Sequence, residues 1–523
     1  MSSGTDLVPS ETPAAVDILI TGGLVHDGSG APGRITQIAI TGDTIAYIGD
    51  DAGERFLADS VIDASSLIVA PGFIDPHTHA GSDLASSEAG RRANPAFAFQ
   101  GVTTVMIGND GFGSPQIAGM AGAAQRLGIG TNVGFLVGHG AVREAVLGKA
   151  NRAPDAGELA RMEAITRQAL CEGAWGFSAG LYYVPQNYAK TDEVIALARV
   201  ASGLGGYYDT HMRDESTYNV TVTGALAEAL EIGREAEIPV HISHIKALGP
   251  AVWGHSARMI AMIEKARAEG QRVTADQYPW EASGTRISNA LVPRDALEGG
   301  LDALRGRLAT PEQRAAIRKG MITGLARRGG ADKLLITGRL GGSEAAIGST
   351  LAQIAKARDI EPVDAALAIL EVGDARVASF NMNPDDIAAF ASRDWVVTGS
   401  DGSNGHPRKY ASFPKAYRDL VKGQAQMDIA RFIRRSSGMT ADIIGLEKRG
   451  YLREGYFADI VIFDPDRFAP QATYQTPREL SSGVVHLLVN GQGLIEDGQI
   501  NTGPSGAMPA DLPGRALLKD APC

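Results

Sequence analysis

The stretch LIVAPGFIDPHTH, residues 67–79, decides the fold of this chain. A short apolar run ends in two histidines that are separated by one residue, and side chains two apart on a strand point to the same side. His77 and His79 therefore face together in a metal-chelating arrangement at a strand end. Two histidines bonded to polar neighbours are the alternative interpretation, and this pair alone does not exclude it.

Short β-branched runs recur along the middle of the chain and alternate with longer helical stretches. This alternation is typical of repeated βα units around a parallel sheet. Eight such runs end, in chain order, at His79, Asp110, His139, Tyr183, His211, Lys246, Tyr278 and Asp401. Polar residues at the carboxyl ends of eight strands predict an α/β fold with a (β/α)8 barrel, because that fold carries its active site on this rim.

The two ends of the chain have a different sequence pattern, in which short β-rich runs are separated by turns that contain glycine and aspartate. Residues 16–70 and 445–523 are predicted to combine into one small β-sandwich domain, since neither half alone has enough strands to bury a face. Residues 71–444 form the predicted catalytic barrel, with an insertion around 280–345 that would cover the site as a lid. Residues 1–15 are predicted to be a flexible tail rather than a signal peptide, because they lack a basic start and an apolar segment.

Composition excludes several classes of protein. The chain has 523 residues, of which 44% are hydrophobic and 21% charged, as expected for a soluble globular protein with more than one core. A formal net charge of −11 leaves no basic surface for nucleic acid. No run approaches the ~18 apolar residues that a membrane-spanning helix needs. A small-molecule substrate and a cytoplasmic location are therefore expected, and a homo-oligomer is compatible with both.

The two cysteines, Cys171 and Cys523, are the whole cysteine content of the chain. The second is the C-terminal residue, so we expect a free thiol on a mobile tail and no disulfide framework.

Further histidines lie at two later strand ends, one in DTHMRDE (209–215) and two in VHISHIK (240–246). Imidazole suits zinc, and a catalytic zinc site needs about three protein ligands and an open position. His241 and His244 are three residues apart and are expected on opposite faces of a strand. We therefore expect His244, nearer the rim, to be a ligand and His241 to pack against the helical layer.

Asp401, in VVTGSDG, follows the last apolar strand. A carboxylate beside a metal site can take a proton from water and later deliver it to a leaving amine. A turn aspartate is the alternative, since Ser-Asp-Gly is also a common turn sequence.

The ordered set of motifs resembles the amidohydrolase superfamily and, within it, the N-acyl-D-amino-acid deacylases or D-aminoacylases. The motifs that carry the resemblance are PGFIDPHTH (71–79), THMRDE (210–215), ISHIK (242–246), DQYPW (276–280), TGSDG (398–402), HPR (406–408), GYFADIVIFDP (455–465) and LLVNGQ (487–492). The resemblance implies a (β/α)8 barrel beside a β-sandwich made from both termini. It also implies zinc-dependent hydrolysis of an N-acyl-D-amino acid to a carboxylate and a free D-amino acid.

The resemblance further implies roles for single residues. His211 and His244 match the histidines of a tight zinc site. His77 and His79 match those of a weaker second site. Asp401 matches the catalytic aspartate.

One ligand position departs from the family pattern. The family has a cysteine in a Gly-Asn-Cys-Gly segment, where this chain has Gly108-Asn109-Asp110-Gly111. A carboxylate binds zinc at a similar distance and can bridge two metals, so Asp110 is predicted to be a ligand. Its harder oxygen favours a filled second site or a different divalent ion.

The α-carboxylate of such a substrate needs cationic or hydroxyl partners. Lys246 lies two residues after His244 and is predicted to point into the same cavity, and the family pattern also uses this lysine and Tyr278. A solvated lysine at a strand end is the alternative. The remaining candidates for substrate binding are Ser283, Arg286, Arg408, Tyr182 and Tyr183.

Two other functions remain open from the residues. A cyclic-amide hydrolase of the hydantoinase or dihydroorotase type shares the barrel and the His-x-His pair, but it uses a carboxylated lysine at a strand end. No lysine lies at the strand ends near positions 139 and 183. A non-catalytic scaffold would have lost its ligands, whereas the histidines and Asp401 are all present. The acyl chain, the side chain and the configuration of the substrate are not fixed by these residues.

Overall fold

The computed structural model describes residues 13–423, 426–502, 506, 508–509 and 511–523. Its strands, in chain order, are β1 (Ala14–Thr21), β2 (Leu24–Val25), β3 (Arg34–Ile35), β4 (Gln37–Thr41), β5 (Thr44–Gly49), β6 (Phe56–Asp63), β7 (Ile68–Pro71), β8 (Phe73–Asp75), β9 (Val102–Ile107), β10 (Asn132–Gly138), β11 (Gly176–Gly180), β12 (Tyr207–His211), β13 (Val240–Ile242), β14 (Val273–Gln277), β15 (Ala282–Arg286), β16 (Leu334–Gly341), β17 (Gly373–Phe380), β18 (Val396–Thr398), β19 (Ile460–Phe463), β20 (Val484–Val489), β21 (Gln492–Glu496), β22 (Gln499–Ile500) and β23 (Ala516–Leu517).

The α-helices are α1 (Ala52–Arg55), α2 (Gly81–Leu84), α3 (Ala89–Arg92), α4 (Pro95–Ala98), α5 (Ile117–Leu127), α6 (His139–Leu147), α7 (Ala156–Cys171), α8 (Thr191–Gly203), α9 (Thr221–Glu235), α10 (Ser256–Ala268), α11 (Ile287–Leu291), α12 (Leu301–Leu308), α13 (Pro311–Arg327), α14 (Leu351–Ala357), α15 (Pro362–Val372), α16 (Pro384–Ala391), α17 (Arg408–Ala416), α18 (Ile429–Ser436) and α19 (Gly438–Ile444). Short 3-10 turns cover Gln186–Tyr188, Pro250–Val252, Asp295–Leu297 and Ala331–Lys333, and a π-helix covers Tyr417–Gly423. Within the described ranges no helix is long and apolar enough to span a bilayer.

Eight parallel strands form a nearly closed barrel, which confirms the predicted fold class. Their order is β8, β9, β10, β11, β12, β13, β14 and β18. A parallel bridge between Thr78 and Gly402 brings the first and last strands together. The amide of Asp401 donates to the carbonyl of His77, and the amide of His79 donates to that of Gly402. The two chain segments that close the barrel therefore also carry predicted site residues.

Burial on both faces explains why the barrel strands have almost continuous apolar sequences. Every residue of β10, NVGFLVG, is buried. The faces that point outward pack with the surrounding helices in the largest core. Inside the barrel, Met106, Leu136, Trp175 and Tyr207 pack against α19. This apolar plug fills the amino-terminal half of the interior and leaves the carboxyl ends of the strands for polar groups.

The segment between β14 and β18 folds on its own core. Its three strands form an antiparallel sheet in the order β15, β17, β16. The predicted limits of the insertion, residues 280–345, stay a prediction, and β17, which pairs with β16 in this sheet, lies beyond them. β15 and β17 form one wall of a cavity of about 430 Å³.

Strands from both ends of the chain form two further sheets. One has the order β5, β4, β1, β6, and the other runs β22, β21, β20, β19, β7, β2, β3. Ile20, Ile38, Val69, Ile460 and Leu488 pack between them, as in a sandwich.

The predicted domain limits stay a prediction, with two adjustments. The predicted tail, residues 1–15, lies outside the described residues up to residue 12, and β1 begins at Ala14. The end of the chain does not stay with the small domain as expected, because β23 pairs with barrel strand β10.

The expectation of free thiols is wrong. Cys523 forms a disulfide with Cys171, the last residue of α7, across 352 residues of sequence. The C-terminal segment reaches α7 because β23 runs beside β10, and the indole of Trp175 donates to the carbonyl of Leu517 at 2.8 Å. Nothing in the local sequence around either cysteine indicates this approach.

We predict that protein purified without reductant contains no free thiol and that Cys171→Ser lowers the free energy of unfolding by about 2–4 kcal/mol, because the disulfide restrains the unfolded chain. Thiol titration with and without denaturant, followed by urea unfolding, measures both. Reductant should destabilise the parent protein and leave Cys171→Ser unchanged. Two titratable thiols in the unreduced, unfolded parent would contradict the pairing.

Candidate metal centre and active site

Two groups of side chains that could hold a metal ion meet at the carboxyl rim of the barrel. His77, His79, Asp110 and Asp401 form the first group, and Asp110, His211 and His244 form the second. Within each group the ligand atoms lie within 4.8 Å of one another. The structure therefore brings together all the residues predicted as ligands, and it groups the histidines in the pairs that the family resemblance implies.

Asp110 belongs to both groups because its two carboxylate oxygens face different histidines. Oδ1 lies 3.4 Å from Nε2 of His77, 3.4 Å from Nε2 of His244 and 3.7 Å from Nδ1 of His211. Oδ2 lies 3.4 Å from Nε2 of His79. One carboxylate can therefore serve two ions.

Three of these side chains project from left-handed backbone directly after their strands. The φ angles are 59° at Asp110, 38° at His244 and 47° at Asp401. Such values are uncommon outside glycine and concentrate at functional sites. Gly108 and Gly111 flank Asp110 at φ 96° and 73°, and a Cβ on Gly111 would lie 2.0 Å from the Gln186 side chain. The Gly-Asn-Asp-Gly sequence is thus fitted to a tight turn that carries the carboxylate.

Several buried nitrogen and oxygen atoms of the centre lack a hydrogen-bond partner within the described part of the chain. They are Nδ1 and Nε2 of His77, Oδ1 of Asp110 and Nε2 of His211. Each buried polar atom without a partner costs about 1–3 kcal/mol. Imidazole nitrogen and carboxylate oxygen form a donor set that suits zinc, so the residues fit a bound divalent cation.

Glu215 and Lys246 both contact Nδ1 of His244. Nδ1 of His244 lies 2.7 Å from Nζ of Lys246 and 3.3 Å from Oε1 of Glu215, which leaves Nε2 facing Asp110. Burial raises the pKa of Glu215, but Lys246 and His211 outweigh burial and bring it below its ordinary value. Burial lowers the pKa of His211 to about 4, so this imidazole is neutral and its nitrogen lone pair is available.

His241 does not pack against the helical layer, and that expectation is wrong. Val240 and Ile242 fill the outer core, so His241 points inside the barrel, where Nε2 lies 3.2 Å from Oδ2 of Asp276. The parity argument failed because β13 ends at Ile242 and the strand alternation does not extend to His244.

Asp401 contacts both a histidine of the first group and a guanidinium. Its Oδ1 is 3.2 Å from Nε2 of His79, and its Oδ2 is 2.8 Å from Nη1 of Arg408. Burial raises the pKa of Asp401, but Arg408 and then His244 lower it well below its usual range. The carboxylate is therefore ionised at neutral pH and positioned to accept a proton.

Two cavities open on this centre. The larger has a volume of about 430 Å³, and the smaller, of about 30 Å³, is lined by Lys246, Tyr278 and Ser283. Asp401 and Arg408 line both cavities and so lie at their junction. A substrate held across this junction would present its scissile bond to Asp401.

Comparison with known proteins agrees with this geometry. A family described as "Amidohydrolase family" matches residues 60–280 and 311–495. The chain belongs to the amidohydrolase family. A D-aminoacylase of Alcaligenes xylosoxydans xylosoxydans is 32% identical to this amidohydrolase over 502 residues, which cover 91% of this chain and 93% of the relative.

Two solved structures similar to this amidohydrolase are of proteins with bound metal or a metal centre. An N-acyl-D-glutamate deacylase from Bordetella bronchiseptica, in complex with zinc and a phosphonate mimic of its tetrahedral intermediate, has a TM-score of 0.79 and 30% identity. A D-aminoacylase with a binuclear metal centre, which one metal activates and a second attenuates, has a TM-score of 0.80 and 30% identity. Both matches cover 96% of this chain and 100% of the other.

The predicted substrate-binding residues of the amidohydrolase divide by position. Lys246 and Tyr278 are buried beside Arg408, whose guanidinium carbon lies 4.8 Å from the centroid of the Tyr278 ring. The hydroxyl of Ser283 lies 3.2 Å from the side-chain amide of Asn381. Arg286 is exposed and lines only the larger of the two cavities.

Tyr182 and Tyr183 both pack against His211 but differ in their hydroxyl groups. The ring centroids of Tyr182 and Tyr183 lie 5.5 and 4.7 Å from that of His211. The hydroxyl of Tyr182 donates to the carbonyl of Asn289 at 2.7 Å and so points away from the metal groups. Tyr183 lines both cavities.

Sequence reasoning missed several buried charges of the site. Asp209 and Asp276 lie beneath His77 and form a third group with it. Glu215 could have been considered, because it is the acidic residue that ends the motif DTHMRDE, four residues after His211. Arg376 gave no local signal, since only the pairing of β17 with β15 brings it to the larger cavity.

We predict that Asp110→Asn lowers the affinity of the protein for zinc at least about tenfold, and so lowers its metal content at limiting free zinc, because removal of one ligand costs at least as much as the 10- to 100-fold expected for supporting groups. Asp110→Cys, which restores an anionic ligand, should retain about one ion per chain. Elemental analysis after dialysis against a zinc buffer measures both. Full metal occupancy in Asp110→Asn would contradict a ligand role.

Proposed function

We propose that this amidohydrolase is a zinc-dependent deacylase that hydrolyses N-acyl-D-amino acids to a carboxylate and a free D-amino acid. The observation that carries the proposal is one carboxylate, Asp110, shared by two histidine groups, with Asp401 3.2 Å from His79 at the junction of two cavities. The named activities of the D-aminoacylase and N-acyl-D-glutamate deacylase relatives support the substrate class.

In the second group, His211, His244 and Asp110 would hold one ion, and in the first group, His77, His79 and Asp110 would hold the other. Bound zinc supplies Lewis acidity to the acyl carbonyl and lowers the pKa of water. Asp401 accepts a proton from the water molecule whose oxygen forms the new bond to the acyl carbon. As the carbon–nitrogen bond breaks, Asp401 returns that proton to the departing amine nitrogen.

The smaller cavity supports binding of the α-carboxylate. Lys246, Tyr278 and Ser283 line it, and Arg408 lies at its border with the larger one. The guanidinium of Arg408 also keeps Asp401 ionised and oriented through their 2.8 Å contact. The α-carbon of the substrate would thus lie between Asp401 and this group of donors.

A cyclic-amide hydrolase would require a lysine within the metal groups. The sequence has no lysine at the strand ends near positions 139 and 183, and Nζ of Lys246 is bonded to Glu215 at 2.5 Å. No observation favours that alternative.

A cytoplasmic location, a homo-oligomeric state and the lack of a nucleic-acid partner remain parts of the proposal. The disulfide between Cys171 and Cys523 is relevant to the proposed cytoplasmic location, because disulfides persist mainly in oxidising compartments. Thiol titration of protein taken directly from its native compartment therefore also tests the location.

We predict that Asp401→Asn abolishes turnover, with kcat reduced at least about 10³-fold, because the amide cannot accept and return the proton. Its metal content should stay unchanged, since the histidines and Asp110 remain. Initial rates of N-acetyl-D-amino-acid hydrolysis and elemental analysis measure the two quantities.

Asp59→Asn is a matched control for this substitution. Asp59 is an exposed residue of β6, in the sheet formed by the N-terminal strands, and its variant should keep parental activity and metal content. Near-normal activity in Asp401→Asn would contradict the assigned role of Asp401.

We predict that the zinc-loaded enzyme cleaves N-acyl-D-amino acids and leaves their L-enantiomers intact. The measurement is a screen of N-acetyl and longer N-acyl D- and L-amino acids, with zinc, cobalt and manganese added in turn to the metal-depleted protein. Removal of metal should abolish turnover, and zinc should restore it. Cleavage of L-substrates alone would overturn the proposed substrate class.

A further inference from the structure

Two arginines stand side by side on the wall of the larger cavity. Arg286 on β15 and Arg376 on β17 are direct partners in the antiparallel register. Directly opposed residues project to the same face of a sheet, and like charges in this position repel. Both side chains line the cavity that contains His79, Asp110 and Asp401.

This face of the sheet is turned toward the catalytic centre. Gly284 lies two residues before Arg286 and shares its face. A Cβ on Gly284 would lie 3.1 Å from Nη2 of Arg408, the residue that contacts Asp401. A strand rises about 3.3 Å per residue, so Arg286 lies about 7 Å further along the wall from that point.

Neither arginine has an acidic partner among the described residues, since no carboxylate oxygen lies within 4.0 Å of either guanidinium in the described ranges. The nearby carboxylate of Asp374 is engaged elsewhere. Its Oδ2 accepts from the hydroxyl of Ser288 at 2.6 Å, and its Oδ1 accepts from the amide of Ala375 at 2.8 Å.

The charges that line the larger cavity are unequal in number. Lys149, Arg286, Arg376 and Arg408 are the cations, and Asp110 and Asp401 are the acids. Both acids are already engaged, Asp110 by the histidines and Asp401 by Arg408 and His79. Lys149 lies 3.6 Å from Glu144, outside the cavity lining. The uncompensated positive charge is therefore concentrated at Arg286 and Arg376.

The position of Arg376 is fixed by the loop that follows Asp401. A Cβ on Gly405 would lie 3.3 Å from Cδ of Arg376, so the arginine stem packs closely on that loop. Burial lowers the pKa of Arg376, and the charges of Arg286 and Arg408 lower it further. An anion in this place would relieve that repulsion.

We propose that Arg286 and Arg376 bind a second anionic group of the substrate, so that the preferred N-acyl amino acid carries a carboxylate in addition to its α-carboxylate. The inference rests on the proposed deacylase function and narrows its substrate class. The second carboxylate belongs either to the amino-acid side chain or to the far end of the acyl group, and the chemistry recognised is the same.

Matched substrates that differ only in this charge test the proposal. The side-chain arm compares N-acetyl-D-glutamate with N-acetyl-D-glutamine. The acyl arm compares N-succinyl-D-methionine with its terminal amide. We expect kcat/KM for the charged member of one arm to exceed that of the neutral member at least about tenfold, because hydrogen bonds to charged groups contribute this much. The arm that shows the preference identifies where the carboxylate lies.

Variants at the two arginines assign the preference to them. Arg286→Gln and Arg376→Gln should each lower the charged-to-neutral ratio at least about fivefold, mainly through KM, and Arg286→Lys should retain part of it. Arg358→Gln is the matched control, because Arg358 is an exposed arginine of the same inserted segment and does not line the cavity. Its ratio should equal that of the parent. Since Arg286 is exposed, its variants also report on the subsite if Arg376→Gln fails to fold.

The outcomes separate this inference from the proposed function. Equal kcat/KM for both members of each arm, or an unchanged ratio in both arginine variants, would overturn the anion subsite while the deacylase function stands. If the zinc-loaded parent cleaves none of the four compounds, the deacylase function fails. Calorimetric binding of N-acetyl-D-glutamate against N-acetyl-D-glutamine then tests the subsite directly, and equal affinity would overturn it.

Discussion

The carboxylate of Asp110 is the group on which the rest of the site depends. Four imidazoles face its two oxygens at 3.4–3.7 Å, and these histidines come from the ends of β8, β12 and β13. Its negative charge offsets the positive charge that bound cations would place in this buried space. The barrel must close to within hydrogen-bonding distance at Thr78 and Gly402 for this convergence to exist. The site therefore exists only in the closed barrel.

That convergence has a conformational cost, which the surrounding structure offsets. Asp110, His244 and Asp401 all adopt left-handed backbone, at about 1–3 kcal/mol each. Asn109 holds the turn of Asp110, since its amide donates to the carbonyl of Pro76 at 3.0 Å and to Asp209 at 3.2 Å. The hydroxyl of Ser243 donates to the same Asp209 at 2.9 Å, next to His244. A polar layer beneath the histidines thus fixes the strained residues, while the apolar plug below it keeps out water.

The parts of this structure that follow from local pattern were predictable, and the parts that depend on distant pairing were not. Strand ends could be found because each β-branched run carries its own polar terminus, so the eight barrel strands and the ligands on them follow from the sequence. Strand parity misassigned His241, because alternation stops where hydrogen bonding stops, at Ile242. Cys171 and Cys523 meet only through the pairing of β23 with β10. Arg376 reaches the site only because β17, on which it lies, pairs with β15, a strand that is distant in sequence.

Asp110, which stands where the family pattern has a cysteine, and the arginines Arg286 and Arg376 together determine how charge is balanced in the cavity. Both ligands carry one negative charge, so the exchange leaves the net charge of the centre unchanged. It changes how that charge is distributed, because a carboxylate spreads the charge over two oxygens that face different histidines, whereas a thiolate holds it on one sulfur atom. Neither oxygen of Asp110 is then free to compensate charge elsewhere in the cavity. No acidic residue among the described residues that line the cavity is therefore available to offset the repulsion between Arg286 and Arg376. In the proposed subsite, an anionic group of the substrate offsets it.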